Sequence, residues 1–284
     1  GLELGMGRTY VYDGRDDLQS KGTLGFDVGG HFYWRSTNIK AKNFEATAKR
    51  SVYVNGFSYQ SKGHVLLDAG DNLVLNATSL STQGDLILKS GKTTYLNARR
   101  HNTSRRRGNY TYRNYGYRGV HLNSKSNFIM DAGRDIHFNA TRLTVAGNAS
   151  IKAKRDINIK SLTDHTYTTN LTSRSYTQRY RVRRWWRRYW KTRRVTDYKR
   201  TYVDAQQVNQ SIFDFQGDFA AIEAGDDISI SGSSLKSKGR LSLNAADTIA
   251  ISGRFRDVSS VTKRSRNSRR TSISSREKRH AKRH

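Results

Sequence analysis

The residues of this chain best suited to chemistry are cations set among aromatics. The stretch YRVRRWWRRYWKTRR (180–194) places Arg183, Arg184, Arg187, Arg188, Arg193 and Arg194 around Trp185, Trp186 and Trp190, and Arg105, Arg106 and Arg107 form a second run. Guanidinium forks match the geometry of phosphate, sulfate and carboxylate, while indoles add stacking or interfacial anchoring. These residues are the candidate polyanion-binding set. The targets that fit are lipopolysaccharide, sulfated glycan, anionic lipid and nucleic acid. The competing reading makes the same segments solvated hairpins, whose Arg and Tyr pair across strands and cover sheet edges.

Other chemistries find little to work with. The chain has no cysteine, so thiol catalysis, disulfides and thiolate metal sites are closed. Serine is plentiful, but no Gly-x-Ser-x-Gly elbow occurs. Asp16/Asp17 and Asp226/Asp227 are the paired acids to consider for glycoside cleavage. Both recur at coil corners, where acids serve as turn residues. The acidic loops that calcium needs are missing. The histidines are scattered singly, and His280 and His284 belong to a basic tail. No phosphate-cradling glycine loop precedes a helix. The expectation is therefore no enzyme, no catalytic residues, no metal and no cofactor. A β-helical polysaccharide-cleaving enzyme is the remote alternative.

Cationic charge is confined to three places. The formal net charge is +29, of which residues 99–119 supply +7, residues 162–209 supply +9 and residues 254–284 supply +10. The remaining body is nearly neutral at +3. No apolar run reaches the ~18 residues of a membrane-spanning helix, and GLELGMGRTY does not read as a secretion signal. Proline is absent and Thr, Tyr and Val are common, which favours strands.

A repeat organises the neutral body. Three cassettes align without a gap: DAGDNLVLNATSLSTQGDLILKSGKTTYLNA (68–98), DAGRDIHFNATRLTVAGNASIKAKRDINIKS (131–161) and EAGDDISISGSSLKSKGRLSLNAADTIAISG (223–253). Gly70, Gly133 and Gly225 coincide, as do Leu75, Phe138 and Ile230. Inside the first, SVYVNGFSYQSKGHVLLDAGD (51–71) and NLVLNATSLSTQGDLILKSGK (72–92) repeat with a period of 21. Alternating apolar residues between turn residues mean short strands. One such set every 20–21 residues makes each unit a coil of a β-solenoid. About eight coils, stacked at the ~4.8 Å strand spacing, should run from Tyr10 to Gly253. Asn76 and Asn139 fall at one corner, as rungs of an axial asparagine ladder. The Asn-x-Ser/Thr matches at Asn76, Asn139, Asn148 and Asn170 read as turn and ladder chemistry rather than glycosylation acceptors.

The cassettes resemble the haemagglutinin repeats of filamentous haemagglutinin and contact-dependent growth inhibition exoproteins. The residues that carry the resemblance are Ala69, Gly70, Ala132, Gly133, Ala224, Gly225, Asp227 and Ile228, set in AGDNLVLNATSLSTQGDLILKSG and its two counterparts. It implies an all-β, right-handed parallel β-helix, export by two-partner secretion through an outer-membrane transporter, and a rod-like role in adhesion or toxin delivery. On this basis the chain is expected to be an adhesive rod segment of a large secreted exoprotein at the bacterial cell surface. A flanking β-helix of the longer parent chain, with an anionic cell-surface glycan or lipopolysaccharide, would be its partners. A dedicated polyanion-binding module is the alternative, with nucleic acid kept among its targets on electrostatic grounds.

The basic segments should leave one solenoid (10–253) from a single corner, because 99–119, 162–209 and 254–284 each follow the same place in a cassette. Tyr110/Tyr112 and Tyr115/Tyr117 alternate about Arg113-Asn114, the expected turn of a first hairpin. In the second, Val182, Trp185, Trp186, Tyr189 and Trp190 fit one face of a short helical tip on a two-stranded stem. The Thr- and Tyr-rich flanks favour strands, so that 182–190 is open between a helical tip and a strand. One excursion every second coil is a rise of about two strand widths, so neighbouring hairpins should pair edge to edge into a secondary sheet. The last segment either begins a third excursion or is a disordered tail.

Overall fold

The computed structural model describes the chain except residues 1, 14–17, 36–38, 186, 254–257, 271–277 and 281–284. It describes no side chain for 2, 6, 12, 13, 184, 187–189, 258–270 and 278–280. Among the described residues every regular element is a strand, and they fall into two compact units.

The first unit is a β-solenoid. A typical coil consists of Val65–Ala69, Leu73–Asn76 and Ser79–Thr82. Each of the three strands pairs in parallel with its counterpart in the next coil, so that Val65 faces Leu86, Leu73 faces Thr94 and Ser79 faces His121. The outcome is two nine-stranded parallel sheets and a six-stranded third one. A two-stranded sheet of Leu18–Gln19 and Ile39–Lys40 occupies the equivalent stretch of the first coils. Among the described residues nine coils are stacked rather than about eight: Leu2–Met6, paired with Thr23–Val28, opens one nine-stranded sheet and Tyr10–Asp13 the other.

Alternation decides what is inside. Leu73 and Leu75 are fully buried while Val74 between them points out, and the pattern repeats from coil to coil. The early coils are filled by aromatics: Trp34 packs edge-on against Phe44 at 5.8 Å and Phe57 at 5.8 Å. Later coils turn aliphatic, until Phe138 and Phe213 meet at 4.8 Å. Burying such ladders, at about 25 cal/mol per Å² of apolar surface, is the main stabilising term.

Corners are held by side chains that cap the following coil. The Asn43 carbonyl accepts from the His64 N–H (3.2 Å), Asp85 from Asn127 (3.0 Å), Asn127 from Asn148 (3.0 Å) and Asn148 from Phe219 (3.1 Å). A second column runs through Asp135, Asp156 and Asp227, whose carboxylates accept from Asp156, Asp227 and Thr248. Asp227, one of the paired acids weighed for catalysis, thus serves the turn. Asp16 and Asp17 lie outside the described residues. The expected asparagine ladder is present: Asn76 Nδ2 donates to Asn55 Oδ1 at 2.5 Å and Asn139 Nδ2 to Asn97 Oδ1 at 3.0 Å. The repeating glycines answer to contact between coils. A Cβ on Gly133 would collide with the Gly91 carbonyl, and one on Gly91 with that of Gly70.

The second unit is a six-stranded sheet. Its strands are Arg99–Arg107, Tyr110–Arg118, Leu162–Arg184, Arg187–Asn209, Val258–Arg270 and Lys278–His280, paired in that order. Each of its three chain segments follows a strand of the same nine-stranded solenoid sheet, namely Thr94–Asn97, Ile157–Lys160 and Ile249–Ser252.

Candidate polyanion-binding sheet

Two of the sequence expectations for this sheet are corrected. The first turn lies at Gly108-Asn109 rather than Arg113-Asn114, and Tyr110–Arg118 is one unbroken strand. Gly108 takes φ +55°, a conformation open to glycine and costly for arginine. The helical tip is not formed either. Leu162–Arg184 and Arg187–Asn209 are strands of 23 residues each, joined at Trp185 with φ +56°. Eight basic residues crowd 174–191. A short isolated helix would bring many of them together around one cylinder, whereas strands spread alternate side chains to opposite faces.

Pairing joins the hairpins. Tyr110 faces Asn170 and Tyr115 faces His165, antiparallel. On the far side Arg193 faces Arg270 and Ala205 faces Val258. Cross-strand contacts fix the register of the long hairpin. Ser175 and Thr196 share a hydroxyl bond of 2.9 Å, and the Arg193 guanidinium donates to Gln178 Oε1 at 3.0 and 2.7 Å. The Arg181 guanidinium lies over the Trp190 ring, 5.4 Å from its centroid.

That register sorts the side chains into two unlike faces. Arg179, Arg181, Arg183, Trp190, Thr192 and Arg194 share the face of Ser175 and Thr196, and all six are exposed. The opposite face carries Tyr176, Tyr180, Val182, Lys191 and Arg193, all part-buried, the buried Val195, and the exposed Arg174 and Gln178. There Arg193 also stacks on Tyr180 at 5.4 Å.

The sequence candidates are therefore divided. Arg105, Arg106 and Arg107 are exposed near the end of the strand Arg99–Arg107. Arg183 and Arg194 are on the exposed face with Trp190 (63% exposed), and Arg193 is on the other. Trp185 is at the turn, 79% exposed. The backbones of Arg184, Arg187 and Arg188 belong to the two strands, their side chains lie outside what is described, and Trp186 lies outside the described residues altogether. Sequence reasoning missed Arg179 and Arg181. The signal was there: Arg179-Tyr180-Arg181-Val182-Arg183 alternates with period two.

An acid–base contact sits further along the same hairpin. His165 Nδ1 lies 3.9 Å from Asp204 Oδ1. Among the described residues no group of three or more His, Asp or Glu is placed to hold a metal. No helix among them is long and apolar enough to cross a membrane.

Comparison with known proteins agrees with this architecture. A family model described as a hemagglutinin repeat matches residues 101–180, a span that takes in most of the first hairpin, two coils' worth of solenoid strands and most of the strand Leu162–Arg184. Neither a curated protein nor a solved structure matches the chain. The repeat points to a structural, adhesin-type segment of a secreted or cell-surface protein. With a hemagglutinin repeat at 101–180 and coils stacked in parallel around it, the chain is a β-solenoid consistent with the filamentous haemagglutinin type.

Proposed function

We propose that this chain is an adhesive rod segment of a large bacterial exoprotein, exported through an outer-membrane two-partner secretion transporter. Its antiparallel sheet makes contact with anionic polymers of a cell surface, such as sulfated glycan or lipopolysaccharide. The role is binding, without catalysis. In the parent chain the solenoid continues into flanking coils. One observation carries the contact reading: no acidic residue occurs between Asp164 and Asp197, and that stretch exposes Arg179, Arg181, Arg183 and Arg194 on one face. Exposed guanidinium groups with no carboxylate partner among the described residues remain available for phosphate or sulfate.

The test replaces Arg183, Arg184, Arg187 and Arg188 with Ser in the full chain. Binding to a heparin-like glycan and to lipopolysaccharide should weaken by an order of magnitude or more, with the solenoid's circular dichroism and melting unchanged. Unaltered binding would leave the sheet as a solvated decoration. A dedicated polyanion-binding module, in which the solenoid is mere scaffold, is favoured instead if the parent gene encodes neither a secretion domain nor a neighbouring transporter.

A further inference from the structure

We propose that the Arg179–Arg181–Arg183 face of the long hairpin takes a single-stranded nucleic acid, with phosphates along the arginine line and a base on Trp190. This rests on the polyanion reading above and narrows it to one face, one set of residues and one ligand class.

The two faces differ in what their cations are already doing. On one, Arg193 is held by Gln178 and stacked on Tyr180, beside part-buried Tyr176 and buried Val195. On the other, Arg179, Arg181 and Arg183 stand in a row on a single strand, all exposed, with Arg194 on the neighbouring strand. Alternate residues of a strand are about 6.6–6.8 Å apart. That is comparable with the reach between successive phosphates of an extended single strand. Each guanidinium offers a planar fork to one phosphate.

Trp190 distinguishes this ligand from a sulfated chain. Its indole is 63% exposed within the arginine row, directly across from Arg181. A large indole left in water is a mark of a contact surface. Flat, unstacked bases are the natural cover for it, since arginines that track a phosphate backbone beside aromatic platforms are the working parts of single-strand binding sites. In a duplex the bases are stacked inside and offer the indole nothing. The Arg181–Trp190 contact adds a cation to the platform, which stacks bases by the same electrostatics.

The experiment measures binding of the full chain to a fluorescent oligo-dT 15-mer, the same length of duplex, a heparin-like glycan and anionic phosphatidylglycerol vesicles. The variants are R179S/R181S/R183S, the equally charged control R174S/K191S/R193S, and W190A. The first triple should lower oligo-dT affinity at least thirtyfold and take about two units from the slope of log K against log salt, at ~0.7 per phosphate contact for single strands. The control triple should cost less than threefold, although it also removes the Arg193–Gln178 bonds. W190A should cost roughly five- to hundredfold for oligo-dT, and leave glycan and vesicle binding unchanged.

Equal losses from the two triples would overturn the inference, as would duplex or vesicles binding more tightly than oligo-dT. Strong glycan binding indifferent to W190A, with weak oligo-dT binding, would also overturn it while leaving the polyanion reading intact. Failure to bind any of the four probes would remove both.

Discussion

The Arg181 guanidinium stands 5.4 Å above the Trp190 ring, and the two residues face each other across the long hairpin. A cation–π pair of this kind at an exposed site contributes about 0.5–1 kcal/mol. A double-mutant cycle on Arg181→Ser and Trp190→Ala should therefore return a coupling below ~1 kcal/mol. Hydrogen exchange should show it only in residues 172–199. A coupling that shifted the solenoid's melting would mean the pair supports more than the hairpin.

Glycine substitutions separate two kinds of constraint. Gly56 has φ +63° with open space around it, so Gly56→Ala should cost only the ~1–2 kcal/mol of a left-handed conformation. Ala77 and Ala140 already accept that conformation one and three coils later. Gly133→Ala would drive a Cβ into the Gly91 carbonyl, a backbone atom with nowhere to go. Chemical denaturation should show a loss of more than ~4 kcal/mol, or no soluble protein. Similar losses at the two sites would contradict the contact between coils.

The core offers a third check. Phe138 and Phe213 are both fully buried and meet edge to face across successive coils. Phe138→Ala should destabilise by about 3–5 kcal/mol. Because each coil contacts mainly its neighbours, exchange protection should fall most around 128–160 and 212–231 and least near Trp34.

Acid should loosen the corners. The Ser126 hydroxyl and the Asn127 N–H hold the Asp85 carboxyl below its ordinary value of 3.8, against a smaller upward push from burial. A carboxylate depressed in the folded state adds stability above its unfolded pKa and loses it as pH falls through the folded one. Asp85→Asn keeps an acceptor for Asn127 but removes the titration. Its stability should be flatter than wild type between pH 5 and 2, as read by urea midpoints. His121 and His137 act earlier on the scale. Burial lowers both from 6.5, so the unfolded chain takes up protons first and stability should begin to fall as pH drops through that region.

The solenoid was legible because its signals agree. Gly70, Gly133 and Gly225 mark one corner, and Leu75, Phe138 and Ile230 one inward position. A gapless period then fixes register without further information. The pairing of the hairpins into one sheet also followed from spacing alone, through one excursion per two coils. The hairpin interior did not. Val182, Trp185, Trp186, Tyr189 and Trp190 satisfy a helical period by chance, while Arg179, Arg181 and Arg183 satisfy a strand period within the same residues. Propensity cannot arbitrate between them. Pairing of Leu162–Arg184 with Arg187–Asn209, held by the Ser175–Thr196, Gln178–Arg193 and Arg181–Trp190 contacts, decides it, and that lies beyond local propensity. The first turn was missed for a simpler reason: Gly108-Asn109 is a better reversal than Arg113-Asn114, because only it supplies a residue at ease with positive φ.

The measurement closest to the central claim is the salt dependence of full-chain binding to a heparin-like glycan, titrated from 50 to 400 mM NaCl. Counterion release predicts that log K falls linearly with log salt, with a slope of several units when several guanidiniums meet charges at once. The account predicts micromolar or tighter binding at the low-salt end and a slope steeper than about −3. Binding that is absent at 50 mM NaCl, or that does not change across the titration, would contradict it.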